Sequence, residues 1–312
     1  MIVYRELSSL SAALGYTPSA LYRVSNRITA HYKTIRISKR SGGFRELQVP
    51  DRLLKSMQRQ INDKLLCFEP VSPFATAYRP GACTRHNASP HVGKPLILKL
   101  DISRFFDHAF YPLVKERAFP STRYSECNRV LLSLLCTLRD CLPQGAPTSP
   151  AISNLILYDF DMTVGAWCSK RSITYTRYCD DMTFSGDFQP GEVIELVKKE
   201  LKKSGFFLNH GKTVVIRADR RQLVTGLVVN ESLHVPRGYI RTLRQELYYC
   251  RRFGLHSHME RKQVTVPPES YARQLLGRVD YALSIEPNRQ DLREMHQWLC
   301  DELRSMRKEP SV

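Results

Sequence analysis

The chain has 312 residues, 42% of them apolar, and carries 47 Lys and Arg against 30 Asp and Glu, a formal charge of +17 with a pI near 9.6. That is enough apolar material for more than one subdomain, and the charge favours a polyanionic partner, nucleic acid first, although a merely soluble basic protein would share it. Nine cysteines without CxxC spacing argue against a zinc site and a closed disulfide framework, so a reducing cytoplasm is expected; no leader-like N-terminus and no run of about 18 apolar residues predicts secretion or membrane spanning.

From Leu7 to about Thr29, Leu10, Leu14, Leu21 and Val24 recur at helix-like spacing, punctuated by Gly15 and Pro18, which predicts a helical N-terminal cap. The stretch YKTIRISKRSGGFRELQVP alternates apolar and charged residues about Ser41-Gly42-Gly43, a β-hairpin pattern with a very basic outer face. Pro50 ends its second strand, and Arg52 to Phe68 sets Leu53, Leu54, Met57, Ile61, Leu65 and Leu66 on one helical stripe. KPLILKLDISRFF reads as an apolar strand ending on an aspartate, and Ala151 to Trp167 as one long helix begun after Pro150. ITYTRYCDDMTFSG predicts a hairpin with Asp180 and Asp181 near its turn, followed by a helix from about Gly191 to Ser204 and short strands through Leu227 to Val229. Beyond Pro236 the text turns arginine-rich and helical, interrupted at Pro267-Pro268, with a last helix to roughly Arg307. No internal repeat or low-complexity run is present.

An aspartate closing an apolar strand and a pair at a hairpin tip need neutralising if they come together, because close carboxylates repel. Two Mg²⁺ ions would do this, since magnesium prefers oxygen ligands, and two ions roughly 3.5–4 Å apart support in-line phosphoryl transfer. Taken alone, the same residues fit a solvated turn and a strand-end cap.

Their surroundings carry more. Tyr178-Cys179-Asp180-Asp181 matches the YxDD motif of reverse transcriptases, Asp101-Ile102-Ser103-Arg104-Phe105-Phe106 resembles their first palm motif, and Leu142 to Pro150 (LPQGAPTSP) resembles their LPQGxxxSP nucleotide-pocket motif. Gly205 to Asn209 followed by Lys212-Thr213 is similar to the fourth palm motif, and GGFREL to the fingers hairpin. Asn87-Ala88-Ser89-Pro90-His91 matches the NAxxH signature, and Val224-Thr225-Gly226 the VTG signature, of bacterial retron reverse transcriptases.

The resemblance covers nearly the whole chain and implies an α+β right-hand polymerase fold: an N-terminal helical cap (1–30), fingers (31–95), a palm with an antiparallel sheet and helices (96–235, with a finger insertion near 108–140) and a short helical thumb (236–312). It implies an RNA-directed DNA polymerase with two Mg²⁺ ions on Asp101, Asp180 and Asp181, the last the weakest ligand. Phe106 would be the gate against a ribose 2′-hydroxyl, or else a core phenylalanine. Gln144 would contact the templating base or incoming nucleotide, and Arg45 and Lys39 would clamp the triphosphate unless they are solvated hairpin charges. Lys212 would serve the leaving pyrophosphate, Tyr178 would pack under the primer terminus, and His91 would be structural. Arg237, Arg241, Arg244 and Tyr248 would grip RNA unless that helical face is simply solvated.

The implied partners are deoxynucleoside triphosphates, a cognate structured noncoding RNA with its RNA-linked DNA product, and an effector protein in phage defence; no membrane is expected. Synthesis would start from a guanosine 2′-hydroxyl. The competing readings are a group II intron-like or diversity-generating reverse transcriptase and a non-catalytic RNA-binding scaffold on the same fold.

Overall fold

The computed structural model describes residues 3–38 and 42–308. The chain divides into two compact units, Met1–Cys83 with Pro95–Ile216, and Thr84–Lys94 with Arg217–Val312.

The first unit opens with helices α1 (Leu7–Leu14) and α2 (Pro18–Ser25). Gly15 closes α1 in the left-handed region (φ 73°), and the Thr17 hydroxyl caps α2 by accepting from the Ala20 amide, so both boundaries lie where glycine and cap chemistry predict them. Strands β1 (Tyr32–Ser38) and β2 (Phe44–Pro50) pair antiparallel, Tyr32 opposite Pro50 and Ser38 opposite Phe44, as the alternating pattern predicts. Asp51 caps α3 (Arg52–Lys64), its carboxylate accepting from the Leu54 amide at 2.9 Å. The expected stripe on this helix is mostly inward, but Leu53 faces outward at 37% exposure: consecutive helical residues are about 100° apart, so Leu53 and Leu54 cannot both face the core.

The central sheet has four strands in the order β4-β5-β3-β6: β3 (Leu96–Asp101), β4 (Thr174–Tyr178), β5 (Asp181–Gly186) and β6 (Val214–Arg217). Both β3 and β4 run antiparallel to β5. Leu98, Leu100, Met182 and Phe184 of the sheet join one core with Leu10, Leu21, Met57 and Ile61 of the N-terminal helices.

Between β3 and β4 lie α5 (Phe105–His108), α6 (Tyr111–Ala118), α7 (Glu126–Cys136), α8 (Ser149–Ile156) and α9 (Tyr158–Ser169); α10 (Pro190–Lys203) follows β5. In place of the single helix expected from Ala151 to Trp167, α8 and α9 are separated at Leu157 (φ −92°, ψ 5°). At the break the Leu157 amide turns to the Leu155 and Ser153 carbonyls, a tightening of the last turn that ends α8. Buried apolar residues continue across the break, Ile156, Leu157, Phe160 and Val164 among them, which is why the sequence reads as one.

The second unit contains α4 (Thr84–Ala88), the two-residue strands β7 (Leu223–Val224) and β8 (Leu227–Val228), and helices α11 (Arg237–Phe253), α12 (Leu255–Arg261), α13 (Pro268–Ile285) and α14 (Gln290–Lys308). Here the NAxxH and VTG segments meet. The Asn87 side-chain amide donates to the Thr225 hydroxyl at 3.5 Å, that hydroxyl donates to the Thr84 carbonyl at 3.1 Å, and the Gly93 amide donates to the Val229 carbonyl at 3.0 Å. His91 is fully buried, and burial lowers its pKa to about 3, so the imidazole is neutral and structural at physiological pH. Among the described residues no helix is long and apolar enough to cross a membrane.

Candidate active site

The site is assembled by strand register. Pairing of β3 with β5 sets Asp101 directly opposite Asp181, and pairing of β4 with β5 sets Tyr178 opposite the same residue. Directly opposed residues stand roughly 5 Å apart at Cβ, so a carboxylate at each position makes an acidic pair on one end of the sheet. The turn between β4 and β5 is only Cys179-Asp180, and Cys179 takes φ +60°, a conformation that tight hairpins usually give to glycine. The Asp180 carbonyl accepts from the Ile102 amide at 3.1 Å, which ties the turn to the end of β3.

Asp101 is buried at 4% exposure and each of its carboxylate oxygens accepts a hydrogen bond. Lys212 donates to one oxygen at 2.8 Å and the Asn209 side chain to the other at 3.1 Å, while the Asn209 amide donates to the Asp101 carbonyl at 2.8 Å. The Lys212 pKa is raised, first by that hydrogen bond. Asp180 is raised above the ordinary carboxylate value by burial and by the Asp101 charge, against opposing contributions from Lys212 and Arg45. Part of Asp181 faces solvent, yet protein packed around its carboxyl, then the charges of Asp180 and Asp101, push its pKa up to about 6. Electrostatically the three carboxylates are under-compensated, with Lys212 the cation in direct contact.

Among the described residues no three His, Cys, Asp or Glu side chains form a cage that would hold an ion unaided. Magnesium does not require one: it keeps several waters and commonly takes one or two carboxylates together with substrate phosphates. A donor set of hard carboxylate oxygens that repel one another suits that ion, and Asp101, Asp180 and Asp181 fit it in kind.

A cavity of about 590 Å³ in the same unit is lined by Phe44, Arg45, Gln48 and Gln144, with Arg104 and Arg139. The hairpin and the LPQG loop are joined here by the Gln48 amide donating to the Gln144 carbonyl at 2.7 Å. Gly145 takes φ +119°, and a Cβ there would stand 2.8 Å from the Gln48 carbonyl oxygen, so this approach is open to glycine alone. Phe106 stands five positions after Asp101, on the first turn of α5, and is partly buried, its ring meeting Phe105 edge-on at 5.4 Å.

Sequence reasoning thus named Arg45 and Gln144, which share one cavity; Lys39 lies outside the described residues. It missed Asn209 as the second brace of Asp101, for which the only signal was its place in the fourth palm motif. It also missed Arg104 and Arg139, whose shared cavity has no local signature. Both have positive φ (45° and 51°), unusual for arginine.

In the second unit a cavity of about 1170 Å³ is lined by Arg221, Arg237, Arg241, Arg244 and Arg289, with Glu286. Arg244 forms an ion pair with Asp291 at 2.6 Å, and Arg289 pairs with Asp291 and Glu286. Arg237 and Arg241 are exposed on the same helix, and Tyr248 is 60% exposed.

A family model described as reverse transcriptase (RNA-dependent DNA polymerase) matches residues 37–230. The retron Mx65 reverse transcriptase of Myxococcus xanthus is 35% identical over 271 residues, covering 79% of this chain and 63% of the relative. The retron Mx162 reverse transcriptase of the same organism is 31% identical, covering 77% and 58%. The retron Ec83 reverse transcriptase of Escherichia coli is 32% identical over 225 residues, covering 67% and 72%. The chain therefore spans a little under two thirds of the length of the two Myxococcus relatives. With the family model matching more than half of its residues and an α+β fold built on an antiparallel sheet, the chain belongs to the reverse transcriptase family and groups with its retron members.

Proposed function

We propose that the chain is the RNA-directed DNA polymerase of a retron, copying a cognate structured noncoding RNA into single-stranded DNA that stays joined to it, with synthesis primed from a guanosine 2′-hydroxyl. The register that opposes Asp101 to Asp181, with Lys212 against Asp101, is the observation that carries the polymerase reading. Asp101 and Asp180 are the firm metal ligands and Asp181 the weaker one. Two Mg²⁺ ions bound there supply activation of the attacking hydroxyl and neutralisation of the leaving oxygen.

The chain's own residues do the rest. Arg45, together with Lys39, clamps the triphosphate, guanidinium forks suiting phosphate oxygens. Gln144 meets the base pair, and Tyr178 supports the primer terminus. Lys212, once released from Asp101, offers its ammonium to the departing pyrophosphate. In this reading residues 1–30 form the cap, 31–95 the fingers, 96–235 the palm and 236–312 the thumb. A cytoplasmic location rests on the nine cysteines without disulfide or zinc spacing, and a role in phage defence with an effector protein on family analogy alone.

Phe106 is the gate for sugar selection. Phe106→Ala is expected to raise ribonucleotide incorporation roughly 10- to 100-fold relative to deoxynucleotide, read as the ratio of kcat/KM values. Unchanged selectivity would reduce Phe106 to a packing residue.

The basic face of α11 holds RNA. Because Arg244 is already paired with Asp291, the informative charge reversals are Arg237→Glu and Arg241→Glu. Each is expected to weaken RNA binding and to flatten its dependence on salt by about one unit of slope or more, as fewer counterions are released. A binding curve with the parental slope would argue for a solvated face.

The proposal as a whole is tested by purifying the protein with its native nucleic acid and sequencing what accompanies it, alongside primer extension with Mg²⁺ and deoxynucleotides. A covalent RNA–DNA hybrid supports the retron reading. Linear, externally primed cDNA would favour an intron-like enzyme, and no product at all a scaffold.

A further inference from the structure

One charged side chain beneath the catalytic turn is buried completely. Arg177 lies in β4, one residue before Tyr178, and both it and Asp161 of α9 have no side-chain exposure. Every nitrogen of the guanidinium finds an acceptor within the protein. Its Nε donates to both Asp161 carboxylate oxygens at 2.9 and 3.1 Å and its Nη2 to one of them at 2.6 Å. Its Nη1 donates to the Asn154 side-chain oxygen of α8 at 3.3 Å and to the Cys179 carbonyl at 2.9 Å. Tyr175 donates its hydroxyl to Asp161 at 2.8 Å, and the Arg177 backbone bonds to Phe74 and Thr76 at 2.8 Å each.

A buried ion pair is a poor device for stability, because desolvating both charges offsets most of their attraction and well-packed apolar residues often do as well. This one has a second contact that apolar residues cannot reproduce. The Cys179 carbonyl belongs to a non-glycine residue at φ +60°, a conformation that persists only when its surroundings over-determine it. The tip is held at its two carbonyls, by the Arg177 guanidinium on Cys179 and the Ile102 amide on Asp180, and at the Cys179 side chain by a hydrogen bond with Tyr78. Through Asn154 the same guanidinium reaches α8, the helix that the LPQGAPTSP loop leads into.

We infer that Arg177, braced by Asp161 and Asn154, is a positioning residue that holds the left-handed Cys179 turn and so aims Asp180 and Asp181, coupling the catalytic hairpin to the helix behind the nucleotide loop. The inference rests on the polymerase reading for its catalytic consequence, but the geometry it concerns is measurable without activity.

Two variants of the full chain test it. Replacing the network with apolar groups (Arg177→Met, Asp161→Leu and Tyr175→Phe together) removes the pair and the hydroxyl it satisfies. Arg177→Lys keeps a charge for Asp161, but a single ammonium lacks the fork that reaches Asp161 and the Cys179 carbonyl together. For each, the melting temperature, kcat and KM for deoxynucleotide, and amide hydrogen exchange of the peptide spanning 178–182 are measured.

The expected result is folded protein whose kcat falls about a hundredfold, the scale set by small misplacements of reacting groups, with KM within about twofold. Exchange at the turn should rise about tenfold while helices α7 and α10 are unchanged. Folded variants with parental kcat and parental exchange at the turn would overturn the inference. If the apolar variant does not fold, Arg177→Lys decides by the same readings. A parent protein that makes no DNA would sink the polymerase reading instead, and the exchange measurement would still judge the turn.

Discussion

Asp180→Asn is expected to reduce Mg²⁺-dependent DNA synthesis by about a thousandfold or more while leaving the protein folded. Metal-mediated charge stabilisation in the transition state amounts to several kcal/mol, and each 1.36 kcal/mol is about a factor of ten in rate. The same change should not harm the fold. Asp180 and Asp181 have pKa values raised in the folded state, by burial first and by neighbouring carboxylates after it. A carboxyl raised in this way is ionised at a cost to the native state, so stability is lost as pH climbs from the ordinary value of 3.8 through the folded value, about 6 for Asp181. With chelator present, Asp180→Asn and Asp181→Asn should therefore melt higher than the parent at pH 8, and the difference should close towards pH 4. A variant that keeps its extension rate would remove Asp180 from the metal site. One that melts lower at pH 8 would refute the electrostatic account of the cluster.

Gly145→Ala carries the second largest expected effect. The added methyl would meet the Gln48 carbonyl oxygen at 2.8 Å, and that oxygen belongs to backbone in β2, so no side chain can swing aside to admit it. The torsion of +119° adds strain of about 1–3 kcal/mol for any residue with a Cβ. The least costly relief is to part the hairpin from the LPQG loop. That breaks the bond between the Gln48 amide and the Gln144 carbonyl and widens the cavity that Arg45 and Gln144 share. KM for deoxynucleotide is expected to rise roughly tenfold or more, corresponding to the loss of about one well-made interaction. Gly191→Ala is the matched control. It lies in α10, where an added methyl would meet open space, so it should be neutral or stabilise by up to about 1 kcal/mol. Equal KM values in the two variants would show that the close approach at Gly145 has no bearing on nucleotide binding.

The parts of this fold legible from sequence are those whose causes are local. Alternation at period two marked β1 and β2, β-branched and aromatic residues marked β4 and β5, and Gly15, Pro18 and Pro50 marked boundaries, because torsional limits and cap chemistry act over a few residues. The strand-end and hairpin-tip aspartates were legible for the same reason. Each sits at the end of an apolar strand whose pattern sets its register, and one register brings Asp101 opposite Asp181.

What tertiary structure alone decided depends on partners distant in sequence. The break at Leu157 was hidden because α8 and α9 are apolar on both sides of it. Arg237, Arg241 and Arg244 read alike and all three are exposed, but the fold brings Asp291 to Arg244 as an ion-pair partner. The NAxxH and VTG segments are separate words in the sequence, joined in space through Asn87, Thr84 and Thr225. Arg177 reads as an ordinary polar residue of a strand, yet it is sealed in the interior against Asp161. Sequence by itself therefore determined the family, the hairpins and the three carboxylates. The fold decided which cations are paired, what braces Asp101 and what bonds the Cys179 turn, because burial and pairing are properties of neighbours that chain order does not reveal.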